Sequence, residues 1–455
     1  MAASTDGDYI PAHRTTRRSE PDTEEVELRL ALSKALAGCL AVLSVAALSA
    51  CGGTSNNSSG NGAADGSTAT PGKVVDIYSS LPMRGPEAPE AIAVANGIRL
   101  ALAQSGDKAG AFTVRYTPLD DSAGDSGWDA SQTAANARKA AADPRAVYYI
   151  GEFDDGASEV AMPILNEAGI AQVSPANTYV GLTTNEPGSS TGEPNRYAPT
   201  GTRTYLRIVP IDSVQAAADL LAMRESGCTK VAIASDGEGY GTGLARLIEL
   251  QKADYRINIV SFGPINPDAQ NYRAYATTLK NAHANCFLLA GVVSKSNVQV
   301  TKDVHLVLPT AKIFGPQDMC TPGWTNPKYG GVPAAIDPLI ECTEVTQSVT
   351  AYPGGRAFVA AYRTRYPGSD PSPYAILGYE AMRLGLATIA GLGDNGDSKS
   401  AVLNGLFATT GRHSVLGTYS FNKFGDTTLR SIGLYKVGPT GDPTFFRTIT
   451  PARAL

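Results

Sequence analysis

The chain has 455 residues, 43% hydrophobic and 18% charged, so it has enough apolar material for sizeable cores, and its length suggests two or three domains. With a formal net charge of −5, it lacks the basic excess of a nucleic-acid-binding protein. The four histidines lie far apart, and no spacing of His and Cys resembles a metal site, so the sequence predicts no metal and no other cofactor.

Residues 1–50 are predicted to be an N-terminal extension followed by an export signal. Residues 35–50 are small and apolar, and Arg29 and Lys34 precede them, as is typical of a signal peptide. The run leads into LSACG at 48–52, which resembles the lipobox of bacterial lipoproteins. The resemblance implies cleavage before Cys51 and attachment of Cys51 to membrane lipid.

Two alternatives for this segment stay open. One is an uncleaved membrane anchor, although the apolar run is shorter than the ~20 residues that a span needs. The other is an ordinary thiol at Cys51 after simple secretory cleavage. In every case residues 51–72, with their Gly, Ser, Asn and Thr content, are expected to form a flexible linker.

From Lys73 onward, short apolar strands alternate with helices. Strands of the first half are predicted at 74–80, 112–121, 146–151 and 171–175, and helices at 88–104, 128–142 and 156–168. The rhythm restarts after about residue 205, with strands at 231–236, 257–262, 286–291, 312–316 and 341–346 and helices at 240–253, 268–282, 354–366 and 374–390. Residues 416–421 and 431–437 are interpreted as two strands paired around a turn. Such alternation predicts two α/β lobes with parallel sheets and a ligand cleft between them.

A series of short motifs runs in order along this body: GP at 85–86, YIG at 149–151, NEAGI at 166–170, VSPANT at 173–178, YLRI at 205–208, YGTGLA at 240–245, FGP at 314–316, YAILGY at 374–379 and GTYS at 417–420. In this order and spacing they resemble the leucine/isoleucine/valine-type (branched-chain amino-acid) substrate-binding proteins of ABC transporters. The resemblance implies the periplasmic-binding-protein type I fold, with two doubly wound parallel-sheet lobes joined by a hinge of three crossings. The crossings are expected near 206–209, 345–348 and 416–419. The first lobe is then 73–206 plus 348–416, and the second is 208–346 plus 418–450.

The resemblance also implies a set of ligand-binding positions: Asp155, Gly156, Ala176, Thr178, Tyr240, Gln317, Asp318 and Tyr374. In the family, a Ser at the position of Asp155 gives its hydroxyl to an amino acid's carboxylate, beside free N–H groups at a helix start. The Ala176 carbonyl would accept a ligand ammonium, and Thr178 would bind the carboxylate. An acidic residue for the ammonium stands where this chain has Gln317, and Asp318 is next to it.

Tyr240 and Tyr374 would contact the ligand, while Glu90 is expected to face solvent. The run GEGYGTG around Tyr240 lacks the G-x-G-x-x-G register of a dinucleotide site. Each position also has a structural alternative: a helix cap for Asp155, a Ser-Pro turn for Ala176 and Thr178, polar loop positions for Gln317 and Asp318, and packing for the two tyrosines.

Four cysteines lie in the body, and an exported chain favours disulfides. Four cysteines allow three pairings. Cys228 precedes the first strand of the second lobe and Cys286 begins its third, and these strands are neighbours in a sheet of order 2-1-3-4-5. We therefore expect Cys228–Cys286 and, by exclusion, Cys320–Cys342.

The functional prediction is an extracytoplasmic lipoprotein, anchored to the cell membrane and expected to be monomeric, which captures a small polar solute and delivers it to an ABC transporter permease. Alternatives are a ligand sensor that meets a membrane receptor and a cell-envelope hydrolase; the scattered histidines, which offer no visible partner for a catalytic triad, count against the hydrolase. An ionised Asp155 would repel a ligand carboxylate, and Gln317 carries no charge for an ammonium. Branched-chain amino acids are therefore expected to bind poorly, and a neutral polar or cationic solute to bind better.

Overall fold

The computed structural model describes residues 73–454, so the predicted signal peptide, Cys51 and the linker up to residue 72 lie outside the described residues. The helices are, in chain order, α1 (Ala88–Gln104), α2 (Ala130–Ala141), α3 (Asp155–Glu167), α4 (Asp212–Glu225), α5 (Gly239–Gln251), α6 (Arg273–Asn281), α7 (Lys295–Val307), α8 (Pro322–Thr325), α9 (Gly355–Arg365), α10 (Pro373–Gly391) and α11 (Lys399–Phe407). The strands are β1 (Val74–Leu81), β2 (Lys108–Ala109), β3 (Phe112–Asp120), β4 (Ala146–Ile150), β5 (Ala171–Ser174), β6 (Tyr205–Arg207), β7 (Lys230–Ser235), β8 (Asn258–Pro264), β9 (Cys286–Ala290), β10 (Lys312–Gly315), β11 (Ile340–Glu344), β12 (Arg412–Ser414), β13 (Gly417–Tyr419), β14 (Ile432–Val437) and β15 (Pro443–Ile449).

Two sheets organise the body. The first has the order β2-β3-β1-β4-β5-β6 and is parallel except for the short hairpin strand β2. The second has the order β15-β14-β11-β10-β9-β7-β8, in which β7 to β11 are parallel and β14 and β15 form an antiparallel edge. Both parallel sets follow the 2-1-3-4-5 order of a doubly wound sheet, so the predicted fold class is confirmed. Central strands such as β4 and β9 are buried throughout, as expected where helices cover both faces.

Both predicted disulfides are present. Cys228 is bonded to Cys286 with their Cα atoms 5.7 Å apart, and β7 and β9 are indeed neighbours. Cys320 is bonded to Cys342 across a Cα distance of 5.4 Å, which fastens the segment after β10 to the adjacent strand β11.

Helices α1 and α10 pack backbone to backbone through two glycines. A Cβ added at Gly97 would lie 1.9 Å from the Ala375 carbonyl oxygen, and one at Gly378 would lie 2.1 Å from the Val94 carbonyl oxygen. No larger side chain fits at either position without moving a helix. This contact fixes the start of α10, which carries Tyr374, against α1.

A buried ion pair stands next to the first crossing between the lobes. The Arg207 Nε atom lies 2.9 Å from Asp426 Oδ1, and their side chains are only 0% and 4% exposed. The same guanidinium donates to the Tyr179 carbonyl at 2.8 Å and to Thr183 Oγ1 at 2.6 Å. Three segments of the first lobe are thereby joined where β6 ends.

The third crossing lies later in the chain than predicted. Residues 417–426 remain with the first lobe: β13 pairs with β12, the Tyr419 hydroxyl donates to Glu380 at 2.9 Å, and the Arg207 N–H donates to the Gly425 carbonyl at 3.0 Å. The chain enters the second sheet only at β14. The prediction that 416–421 and 431–437 pair with each other is therefore wrong, since β14 pairs with β11 and β15.

Candidate functional site

A cleft of about 710 Å³ lies between the lobes, where the parallel strands of both sheets end. Loops after β4 and β5 line it from the first lobe, together with the start of α1 and of α10. Segments after β9 and β10 line it from the second lobe, with the last residue of β11 and the start of α5. Its lining residues are Pro86, Glu87, Glu90, Phe153, Asp154, Asp155, Ala176, Thr178, Tyr240, Val292, Val293, Gln317, Asp318, Cys320, Thr321, Pro322, Glu344 and Tyr374.

The structure brings seven of the eight predicted ligand-binding positions together in this cleft: Asp155, Ala176, Thr178, Tyr240, Gln317, Asp318 and Tyr374. Gly156 is not among the lining residues. A Cβ at Gly156 would lie 2.7 Å from the ring of Trp128, so this glycine allows α3 to approach that ring instead.

Asp155 takes part in the site through the loop that follows β5. Its Oδ1 atom accepts the backbone N–H of Thr178 at 3.1 Å and that of Tyr179 at 3.3 Å. The residue at the N-cap of α3 is Asp154, and no side chain makes a capping hydrogen bond there. The Asp155 carboxyl therefore satisfies the N–H donors of a neighbouring loop and does not cap its own helix.

The two first-lobe loops are held together by Asn177. Its amide nitrogen donates to the Phe153 carbonyl at 2.8 Å, and its side-chain oxygen accepts from the Ser158 hydroxyl at 2.6 Å. These bonds place Asp154 and Asp155 beside Thr178 through protein contacts alone. The geometry of the site is thus set before any ligand arrives.

Six carboxyl groups line the cleft, and the lining contains no Lys, Arg or His: the carboxyls belong to Glu87, Glu90, Asp154, Asp155, Asp318 and Glu344. Loss of solvent around a carboxylate and like charges nearby both raise its pKa. Burial, and then the charges of Glu87, Asp121, Asp155 and Asp318, raise the pKa of Asp154 to about 8.

The other acids of the cleft are shifted in the same direction. Burial, followed by repulsion from Asp212, raises the pKa of Asp155 to about 7, despite the opposing effect of Arg207 and the two N–H groups. Burial and the charge of Asp155 raise the pKa of Asp318 to about 7. Burial, then Asp318 and Glu90, hold the pKa of Glu344 well above its usual range.

Several polar atoms of the cleft have no hydrogen-bond partner among the described residues. They include Oε2 of Glu87, Oδ2 of Asp154, Oε1 of Gln317 and Oε2 of Glu344, each with almost no exposed surface of its own. Gln317 Nε2 reaches Asp318 Oδ1 only at 3.5 Å. Buried polar atoms are normally paired, so these oxygens mark unfilled acceptor positions.

Aromatic rings form the walls. Phe153 and Tyr374 lie with their ring centroids 5.2 Å apart on the first-lobe side. The Tyr240 hydroxyl lies 3.5 Å from Gln215 Oε1 on the second-lobe side. These rings, with Val292 and Val293, give the acidic cleft an apolar surface.

Of the six acids, sequence reasoning named only Asp155 and Asp318 as ligand-binding positions. Glu344 ends β11, a strand that the sequence does predict, so the rule that ligands bind beyond strand ends would have found it. Glu90 was expected to face solvent, but it lines the cleft, and burial raises its pKa. Glu87 precedes α1 and carried no distinguishing signal.

Within residues 73–454, no group of three or more His, Cys, Asp or Glu side chains is placed to hold a metal ion. The helices of this same range include none with the length and apolar content for crossing a membrane.

Comparison with known proteins gives one family and a shared fold. A family model described as periplasmic binding protein matches residues 79–448. The leucine-binding protein LivK of Thermotoga maritima superimposes with a TM-score of 0.61 at 20% identity, covering 83% of this chain and 99% of that one. An ABC transporter substrate-binding protein of Desulfitobacterium hafniense in complex with Leu gives 0.66 at 19% identity, covering 82% and 100%. A solute-binding protein of R. palustris in complex with benzoate gives 0.60 at 17% identity, covering 84% and 98%. No curated protein matches the chain by sequence.

Proposed function

Because the chain belongs to the periplasmic binding protein family, whose members are solute-binding proteins and not enzymes, we propose that it captures a small solute outside the cytoplasm and delivers it to an ABC importer. Binding proteins of this kind bind small molecules and work with ABC transporter permeases. The prediction that the chain is not an enzyme is confirmed by the family, and the hydrolase alternative is dropped.

The observation that carries the proposal is the cleft of about 710 Å³ between the two lobes, lined by residues of both. A solute bound there touches the first lobe through Asp154, Asp155 and Tyr374 and the second through Tyr240 and Asp318. Contacts to both lobes stabilise the closed form over the open form, since a ligand shifts an equilibrium by its differential affinity. The permease would then recognise the closed form.

The test is a thermal-shift screen followed by calorimetry on the purified protein. A ligand that binds only the folded state raises the melting temperature. The panel contains branched-chain amino acids, aromatic acids, amides, polyols and amines. A rise in melting temperature with one class of solute, together with compaction of the protein measured by small-angle scattering, supports capture by closure. If no solute in the panel makes the protein more compact, the proposal is contradicted.

We also propose that Cys51, outside the described residues, is the lipid anchor. Cys51→Ser should release the protein from the membrane fraction or leave it unprocessed. A variant that is still lipid-modified and cut before residue 51 would contradict the anchor. Membrane fractionation and the mass of the N-terminal peptide are the two measurements.

A partner other than a permease remains the second candidate, because the same fold can present its ligand to a membrane receptor. Uptake of the bound solute by cells with and without the protein separates the two. Loss of uptake identifies an importer component, and unchanged uptake with a lost transcriptional response identifies a sensor.

A further inference from the structure

We propose that the solute is an organic cation that carries at least two positive charges and no carboxylate. This inference rests on the proposed function, because it names the ligand class of the same cleft. It goes beyond an expectation of a neutral polar or cationic solute by specifying the number of charges, their arrangement and a coupled release of protons.

The first observation concerns the donors that an acidic ligand would need. The backbone N–H groups of Thr178 and Tyr179 already donate to the Asp155 carboxyl. The Thr178 hydroxyl faces the carboxyl of Asp212. The protein's own carboxyl groups therefore occupy the position where a ligand carboxylate would be bound.

The second observation is the charge of the lining. Six carboxyl groups and no basic side chain line the cleft, and oxygens of Glu87, Asp154 and Glu344 lack hydrogen-bond partners among the described residues. An ionised carboxylate only accepts hydrogen bonds, whereas an ammonium group only donates them. A ligand with several N–H donors and positive charge matches these acceptors, and a ligand carboxylate does not.

The third observation is that the acids come from both lobes. Asp154 and Asp155 belong to the first lobe, and Asp318 and Glu344 to the second. Asp155 and Asp318 act on each other across the cleft. Closure without a cation brings like charges together, while a cation at each end of the ligand bridges them. One positive charge would leave part of this repulsion in place.

The shape of the cleft favours an elongated ligand. A second cavity of about 190 Å³ adjoins the first and shares Glu90, Glu344 and Tyr374 with it. The acidic lining therefore continues from Asp154 and Asp155 in the first cavity to Glu90 and Glu344, which line both cavities, and the ring of Tyr374 lines both as well. A chain of methylene groups between two amines would place its apolar part against that ring and its two charges against different acids of this lining.

Proton release should accompany binding. The pKa of Asp154 is raised to about 8, and those of Asp155 and Asp318 to about 7, so at neutral pH these groups are partly protonated without ligand. A bound cation favours the ionised form and displaces those protons. Affinity should therefore increase as the pH rises from about 6 to 8. The charged groups that face them are Glu87, Glu90, Asp121, Arg207, Asp212, Asp236 and Glu344.

The experiment is calorimetry on the purified protein with 1,4-diaminobutane and spermidine. n-Butylamine, leucine, benzoate, acetamide and magnesium chloride are the comparison ligands. We expect the diamine or the triamine to bind at least tenfold more tightly than n-butylamine, and leucine and benzoate not to bind. Titration in two buffers of different ionisation enthalpy should show protons released at pH 7.

Neutral variants of the cleft acids test the residues themselves. Asp154→Asn and Asp318→Asn keep the side-chain shape and remove a like charge, so the fold should be preserved, and each should weaken diamine binding at least tenfold. Asp397→Asn, in an exposed position outside the cleft, is the matched control and should leave binding unchanged.

The outcomes separate this inference from the proposed function. Tight binding of leucine, benzoate or acetamide with no response to any amine overturns the inference and leaves the proposed function standing. Equal binding of n-butylamine and the diamine, selective binding of magnesium, or diamine binding unaffected by Asp318→Asn also overturns it. Absence of closure with every solute in the panel is the separate result that contradicts the proposed function.

Discussion

Replacement of Asp155 by serine should increase the affinity of the cleft for amino acids. In the unchanged protein the Asp155 carboxyl accepts the Thr178 N–H at 3.1 Å and the Tyr179 N–H at 3.3 Å. Serine is too short to hold both donors and carries no charge. The variant therefore frees two backbone N–H groups for a ligand carboxylate and removes the nearest repelling charge.

The gain can be estimated from these contacts. A hydrogen bond to a charged group contributes about 1.5–3 kcal/mol. Two unit charges ~4 Å apart interact by about 4 kcal/mol at an effective dielectric constant of ~20. Since the pKa of Asp155 is raised to about 7, only part of that repulsion acts at neutral pH. Part of the hydrogen-bond gain is lost because water solvates the freed N–H groups, so a net gain of ~3 kcal/mol is reasonable, or roughly a hundredfold in affinity.

Calorimetry with leucine and isoleucine at pH 7 measures the effect. Asp155→Asn is the matched control, because its amide oxygen can still accept the two N–H groups while the charge is gone. We expect Asp155→Asn to gain only the part of the amino-acid affinity that comes from removing the charge, and Asp155→Ser to gain more. Micromolar leucine binding by the unchanged protein, or no gain in Asp155→Ser, would refute the reasoning.

Three further predictions concern stability. Asp426→Asn leaves a buried guanidinium without its counter-charge and should lower the free energy of unfolding by about 3–5 kcal/mol, measured with denaturant. Asp370→Asn breaks an exposed ion pair and should lower it by less than ~1 kcal/mol. Equal losses would contradict the role of burial. Loss of the Cys228–Cys286 disulfide, which spans 58 residues, should lower the free energy of unfolding by ~4 kcal/mol. Loss of the Cys320–Cys342 disulfide, which spans 22 residues, should lower it by ~3 kcal/mol. The reverse order in urea unfolding would contradict the loop-length argument. The pKa of Asp154 in the folded protein is raised to about 8, so above pH ~4 the folded state binds more protons than the unfolded state. The melting temperature without ligand should therefore fall as the pH rises toward 8. Asp154→Asn should flatten this dependence.

The central strands β4, β5, β7 and β9 were predictable because they are buried on both faces and appear as short apolar runs. Helix α1 was predicted with its observed ends. Helix α4 was missed because most of its residues are buried, which leaves no apolar stripe opposite a polar one. Helices α7 and α11 were missed although Ser294 and Ser398 cap them through their side chains, a signal that is visible in the sequence.

Most of the predicted ligand-binding positions do line the cleft, but the electrostatics of the cleft could not be predicted from the sequence. Strand ends bring Thr178, Gln317 and Asp318 together, and a resemblance to known proteins supplies the register. The direction of the Asp155 carboxyl depends on the loop after β5, which local patterns do not encode. The third crossing was misplaced for a similar reason, since the turn after β13 is held by Asn422, which accepts the Asp426 N–H at 3.0 Å, and by the distant Arg207.

The glycine contact between α1 and α10 has a consequence for the order in which the lobes mature. The ribosome makes α1 early and α10 late, so the groove around Gly97 has no partner until most of the chain has emerged. The parallel strands of the second sheet, β7 to β11, are complete well before that point. The first lobe therefore begins before the second but stays incomplete until α10 is made, and its apolar surface is exposed to aggregation over that interval.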